Sequence, residues 1–223
     1  MPFNKVARAL DLVPLRKALV SVYDKKGLPE FARGLMEACP EMRFYATGGS
    51  YTALRDSVDP QSVVSIGDYT GQSEMAGGLV KTLDWRIYLG LLAETGDERH
   101  EADLARHKAV AFDLVVVNLY PFAASAADST STPEELRQRI DIGGSAMLRA
   151  AAKNYLRVAA LSGPGQYRGF LSELDAQGGW TGLEYRRRLA VEAFALTARF
   201  DEEVSRRLAG IEAAAIEAAY GLG

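Results

Sequence analysis

Two short stretches of this chain combine residue types that can do acid–base chemistry. In Asp141-Ile142-Gly143-Gly144 a carboxylate stands directly before paired glycines. There the backbone can come close to a ligand and turn N–H groups toward it. In Ala150-Ala151-Ala152-Lys153-Asn154 a lysine ends a run of small residues, beside an asparagine able to close a helix. A carboxylate and an amine of this kind permit proton transfer at a reacting centre.

Three further turns carry polar groups. Thr47-Gly48-Gly49-Ser50 offers two hydroxyls, two flexible backbone positions and a helix start, the makings of a phosphate cradle. Lys25, in the neighbouring turn, can add charge. Read alone, the same four residues are more often just an ordinary Gly-Gly turn. Met75 to Thr82 (MAGGLVKT) is a second Gly-Gly turn ending in Lys81 and Thr82, without the spacing of a Walker loop. It reads either as a ligand loop or as a surface loop with a solvated lysine. Asn118-Leu119-Tyr120-Pro121-Phe122 closes an apolar run, and its tyrosine is either at a ligand edge or a lid over the core.

The elements that must position these groups alternate between strand and helix. Lys17–Tyr23, Met42–Ala46, Val63–Ile66, Leu114–Leu119 and Val158–Leu161 read as strands, the fourth being apolar throughout and so buried on both faces. Leu28, Phe31, Ala32, Leu35 and Met36 recur at helical spacing. Thr132-Pro133-Glu134-Glu135 carries the signature of a capping box. Leu189, Ala193, Leu196, Phe200, Val204 and Leu208 mark a long C-terminal helix. Such alternation predicts an α/β fold, a doubly wound, mostly parallel sheet flanked by helices, with additional C-terminal helices. Ligands of such sheets bind beyond the carboxyl ends of the strands. The expected organisation is one domain over 1–223, with 1–15 an N-terminal extension and 210–223 a helical tail.

Composition narrows the function classes. The 223 residues carry 26 basic and 29 acidic side chains, a net charge of −3 that argues neither for nucleic acid nor for a membrane surface. The single Cys39 excludes an internal disulfide. No apolar run reaches the ~18 residues that span a bilayer, and the first residues lack a signal-peptide core. The expected location is the cytoplasm. His100 and His107 fall in a helical stretch and are expected to face solvent, without a metal role.

Taken together, Ser21-Val22-Tyr23-Asp24-Lys25, Thr47-Gly48-Gly49-Ser50, Gly77 to Leu83 (GGLVKTL), Asn118 to Phe122, Ile140 to Gly144 and Leu148 to Asn154 resemble the IMP cyclohydrolase domain of the bifunctional purine-biosynthesis protein. They run in family order, and the chain stops where that protein's formyltransferase half would begin. The resemblance implies a methylglyoxal-synthase-like fold and a free-standing cyclohydrolase. Its reaction would close the ring of formamidoimidazole-carboxamide ribonucleotide to IMP, with loss of water and no metal or cofactor. It also assigns roles. Ser21, Lys25, Thr47, Gly48, Gly49 and Ser50 would hold the 5′-phosphate. Lys81 and Thr82 would face the base, Lys81 stabilising an oxyanion. Tyr120 would relay a proton, and Asp141 would orient or deprotonate the attacking amide with Lys153 as its charged partner. Asn118, Ile142, Gly143 and Gly144 would line the base pocket.

If 141–153 is helical, Asp141 and Lys153 lie roughly 18 Å apart, beyond the reach of a lysine side chain. The expectation is therefore a homodimer in which Lys153 serves the neighbouring subunit's site. A separate AICAR formyltransferase is an expected partner. Leu79 stands where the family has arginine, and Asp84-Trp85 where it has His-Pro. These departures leave a rival reading, a purine-nucleotide sensor that binds without converting. Methylglyoxal synthase itself is disfavoured, because its catalytic histidine has no evident equivalent.

Overall fold

Leu114, Val115, Val116 and Val117 are all buried, two toward each face of the sheet, and this double burial produces the unbroken apolar run. The computed structural model of the chain describes residues 6, 9–72, 81–122 and 131–221. From the N-terminus, β1 (Leu12–Pro14) leads to β2 (Lys17–Val22), α1 (Leu28–Ala38), β3 (Arg43–Ala46), α2 (Gly48–Arg55), β4 (Val63–Ser65) and α3 (Ile66–Thr70). Then come α4 (Trp85–Leu92), α5 (Glu98–Arg106), β5 (Leu114–Asn118), α6 (Pro133–Gln138), α7 (Ile142–Lys153), β6 (Ala159–Leu161) and α8 (Tyr167–Ala176). β7 (Trp180–Gly182), α9 (Leu183–Ala209) and α10 (Ala213–Tyr220) complete the chain.

The main sheet has five strands in the order β4-β3-β2-β5-β6, every neighbouring pair parallel. The chain winds outward from β2 through β3 to β4, then returns to β5 and winds the other way. The strand order therefore reverses between β2 and β5, where an open parallel sheet leaves its ligand crevice. On one face Val20, Phe44 and Val116 pack under Leu28, Phe31 and Leu35 of α1 and Phe170 of α8. On the other, Leu19, Tyr45 and Val115 meet Ile87 and Leu91 of α4 and Met147, Leu148 and Ala151 of α7.

Two buried arginines close the amino edge of the sheet. Arg157 donates to the carbonyls of Gly90 (2.5 Å), Phe112 (2.6 Å) and Ala93 (3.2 Å) and faces Asp113 at 3.6 Å. Asp113 in turn accepts the N–H groups of Arg16 and Lys17, tying the start of β2 to the start of β5. Arg186 donates to the carbonyls of Leu10, Asp11, Tyr155, Leu156 and Thr181. Burial pulls its pKa down to about 10, which leaves it cationic at neutral pH.

The expected strands and the parallel winding are present, with ends shifted by a residue or two, and Ile66 opens α3 instead of ending β4. The segment expected as an N-terminal extension, 1–15, is in part built into the fold. β1 pairs antiparallel with β7, Val13 and Leu15 are buried, and Arg186 holds Leu10 and Asp11. The tail forms α10, whose Tyr220 hydroxyl donates to Glu134 of α6 at 2.8 Å. Among the described residues no helix is long and apolar enough to cross a membrane.

Gly90 fixes the depth of α4. A Cβ there would stand 2.1 Å from the Val110 carbonyl oxygen, so only glycine lets the helix lie against the entry to β5. Gly90→Ala is expected to cost about 1–3 kcal/mol, as overpacking against backbone does. The check is a lower urea midpoint at unchanged slope.

Candidate active site

Every polar turn singled out in the sequence and described in the structure, apart from the Lys153 end of α7, lies at the carboxyl edge of the sheet. The turn after β3 begins α2, with Thr47 at its N-cap. The Thr47 and Ser21 hydroxyls are hydrogen-bonded to each other at 2.9 Å. Lys25 reaches over the first turn of α2: its Nζ lies 3.3 Å from where a Gly49 Cβ would stand, and it donates to the Tyr23 carbonyl at 3.2 Å. A lysine ammonium, the helix N-terminus and two hydroxyls thus meet at one point, an arrangement suited to an anion.

Ser50 and Asn118 are used differently from expectation. The buried Ser50 hydroxyl accepts the Val22 N–H at 2.9 Å and donates to the Val22 carbonyl at 3.3 Å, so it closes the end of β2 instead of facing a ligand. The Asn118 amide accepts from the N–H groups of Tyr23 (2.7 Å) and Asp24 (3.0 Å) and donates to the Asp24 carbonyl (2.7 Å). It carries the loop that presents Lys25, across the β2–β5 reversal.

Asp141 is the N-cap of α7, its Oδ1 accepting the Gly144 N–H at 2.7 Å. The Tyr120 backbone N–H donates to the same carboxyl, which joins the end of β5 to the start of α7. Burial raises the Asp141 pKa above its ordinary 3.8, and these two N–H bonds only partly oppose the rise. The paired glycines now have a physical reason. A Cβ at Gly144 would fall 2.6 Å from Asp141 Oδ2, and one at Gly143 would fall 2.7 Å from the Thr82 hydroxyl. They let side chains of this protein approach the helix, and through Thr82 they dock the Lys81–Thr82 segment onto α7. Ile142 stays exposed beside them.

Asp84 caps α4 by accepting the Arg86 N–H at 2.8 Å, which accounts for a carboxylate at that position. The exposed Trp85 meets the His107 ring edge-on. The Gly-Gly turn preceding Lys81, with Leu79, lies outside the described residues.

Lys81, Tyr120 and Asp141 therefore share one edge, and among the described residues Lys81 and Tyr120 line two different cavities. Lys81 lines a cavity of about 580 Å³ with Thr47, Gly48, Gly67 and Asp68. Tyr120 lines an adjoining cavity of about 870 Å³ with Tyr23, Lys25, Ser162 and Arg199, its ring 4.8 Å from that of Tyr23. Lys25 lines the second and reaches toward Gly49, next to Gly48 of the first. Lys153 is elsewhere: α7 runs unbroken from Ile142 to Lys153 and sets that exposed amine roughly 18 Å from the cap.

His100 is half-buried, not simply solvent-facing. Its Nδ1 accepts the Glu94 N–H at 3.1 Å, and it sits near Glu94 and Asp97. Asp97 pairs with Arg99 at 2.7 Å and caps α5, so the cluster braces the start of that helix.

The reversal of strand order, the anion-suited helix start and the buried carboxyl define an α/β fold whose candidate site lies at the switch point. The chain belongs to the MGS-like domain family, which residues 27–146 match, while residues 151–221 match the family described as AICARFT/IMPCHase bienzyme. It is 45% identical over 200 residues to the bifunctional purine biosynthesis protein PurH of Rhodopirellula baltica, covering 90% of this chain and 37% of that protein. The same-named protein of Acidithiobacillus ferrooxidans is 43% identical over 197 residues, covering 88% and 37%. The chain thus spans little more than a third of the curated relatives it matches. A solved structure described as the crystal structure of ForH superposes with a TM-score of 0.73 at 33% identity, covering 87% of this chain and 99% of that one.

Asp141 serves both as helix cap and as candidate proton acceptor, and substitution separates the two. Asn caps as well as Asp does, so Asp141→Ala is expected to cost about 1 kcal/mol and Asp141→Asn far less. The raised carboxyl makes the fold hold its proton more tightly than the unfolded chain. Wild type should therefore lose stability relative to Asp141→Asn as pH rises from about 4 through the raised pKa. Denaturant titrations of the three proteins across that range measure both effects.

Proposed function

We propose that this chain is an IMP cyclohydrolase acting in purine biosynthesis. Its substrate would be 5-formamidoimidazole-4-carboxamide ribonucleotide, closed to IMP with release of water. The observation that carries the reading is the docking of Thr82 on Gly143. It brings the Lys81 segment to the turn where Asp141 is held under the Tyr120 N–H. That neighbourhood adjoins an anion cradle, and relatives at about 45% identity are named for purine biosynthesis.

In this proposal the 5′-phosphate rests on the first turn of α2 and Lys25, flanked by the Ser21 and Thr47 hydroxyls. The carboxamide nitrogen attacks the formyl carbon of the same molecule. An amide is a weak nucleophile, so holding both groups in a near-attack pose removes much of the barrier. Asp141, made more basic by burial, accepts the amide proton. Lys81 stabilises charge on the formyl oxygen, which takes one proton from Tyr120 and a second from the protonated Asp141 and leaves as water. The formamido N–H meanwhile returns its proton to Tyr120, and its electron pair closes the C=N bond. Ser50 and Asn118 shape the cradle from behind. The formylated ribonucleotide must come from a formyl-transfer reaction, which a separate AICAR formyltransferase would supply. We place the whole catalytic unit in one domain, acting in the cytoplasm.

The direct test is the purified protein with the formylated ribonucleotide, following IMP by absorbance. Turnover well above the spontaneous rate is expected. Lys81→Ala should lower kcat by about 10²–10³-fold and Tyr120→Phe by about 10²-fold. Tight binding without turnover would instead identify a nucleotide sensor.

The unbroken α7 motivates a homodimer in which Lys153 reaches the partner's site. Mixing inactive Asp141→Asn and Lys153→Ala chains should then restore activity, because one of the two sites in a mixed dimer carries both native groups. Activity no higher than in either parent counts against sharing.

A further inference from the structure

Among the described residues beside Asp141, two hydroxyls on packed helices are buried with no hydrogen-bond partner, Tyr88 Oη of α4 and Ser145 Oγ of α7. α4 packs on α7, and the Thr82–Gly143 contact brings their N-terminal ends together. Ser145 lies four residues after Asp141, on the same stripe of α7 and about 6 Å along it. The Asp141 carboxyl accepts the Gly144 N–H at Oδ1 and also the Tyr120 N–H. Its two oxygens, with about four lone-pair sites, leave acceptor capacity for a donor arriving from α4. A buried hydroxyl left without a partner costs about 1–3 kcal/mol. Two of them at one carboxyl are a feature that stability alone does not select.

We infer that Tyr88 is a positioning residue for Asp141, its hydroxyl donating to the Asp141 carboxylate through one bridging water that Ser145 also holds. Three polar partners are what a buried water normally has. Tyr88 keeps its proton for this purpose: burial and the neighbouring Asp141 charge push its pKa up to about 12. Other charged groups lie near the cap. Asp84 caps α4, and the Arg86 guanidinium donates to the Tyr69 carbonyl at 2.8 Å. Lys81 lines the 580 Å³ cavity, and Arg139 closes α6. The bond keeps the carboxylate ionised and aimed, against the upward pull of burial. The inference rests on the cyclohydrolase reading for its catalytic meaning, but the carboxyl can be followed without any reaction.

The experiment is a ¹³C-carboxyl NMR titration of wild type, Tyr88→Phe and Ser145→Ala, with Asp141→Asn to assign the resonance. Loss of a donor to the charged form should raise the Asp141 midpoint by about one pH unit in Tyr88→Phe, and by less in Ser145→Ala. If the chain turns over the ribonucleotide, the acidic limb of kcat should move upward by the same amount with KM little changed. An unmoved midpoint in Tyr88→Phe overturns the inference, whether or not the protein is a cyclohydrolase. A moved midpoint in a protein without turnover upholds the pairing and removes only the catalytic reading.

Discussion

The carboxyl of Asp141 is the joint on which the site depends. It accepts one N–H from the first turn of α7 and one from the end of β5, and so locks a helix start to the strand beside the reversal of the sheet. The glycines that follow exist for this joint. One leaves room for the carboxyl itself, and the other for Thr82, which brings the preceding segment and its lysine to the same place. A negative charge at a helix N-terminus is favourable, yet here it is also buried. The opposition of those two effects yields a carboxyl that holds its proton more tightly than an exposed one.

The opposite edge of the sheet makes this arrangement stiff. Arg157 and Arg186 satisfy carbonyls from segments far apart in the chain, and Asp113 ties the starts of β2 and β5. With those starts fixed, the ends of the same strands are fixed too, and they carry Ser21, Asn118 and Tyr120. A buried cation is expensive unless its donors are filled, and here carbonyls fill them. The arginines thus act on the site at a distance, through the register of two adjacent strands.

Much of this was legible in the residues. β5 announced itself by its unbroken apolar run, α6 by its capping box, and Asp141 by the glycines after it. The β1–β7 pair was not, because each strand has three residues, too few for a period, and they meet across most of the chain. α4 was obscured because Trp85–Leu92 (WRIYLGLL) is apolar almost all round, and Asp84 read as a departure when it is a cap. The tasks of Ser50 and Asn118 could not be read either. A hydroxyl or amide beside a ligand-type turn looks the same in sequence whether it faces the ligand or the backbone that carries it. Tyr88 was hidden for the opposite reason, since a tyrosine in an apolar helix reads as core.

The separation of Asp141 from Lys153 has a structural side that holds whatever the reaction. A carboxylate at the N-cap and an ammonium in the last turn each oppose the end charge of the helix they share, so both positions favour α7 itself. Their spacing cannot close within one chain, because an uninterrupted helix between small buried residues has no hinge. If the amine is to meet a carboxyl, it must be that of another molecule, and a two-fold axis supplies both meetings at once. The charges that stabilise the helix alone would then also join two copies of it, which ties assembly and chemistry to the same pair of groups.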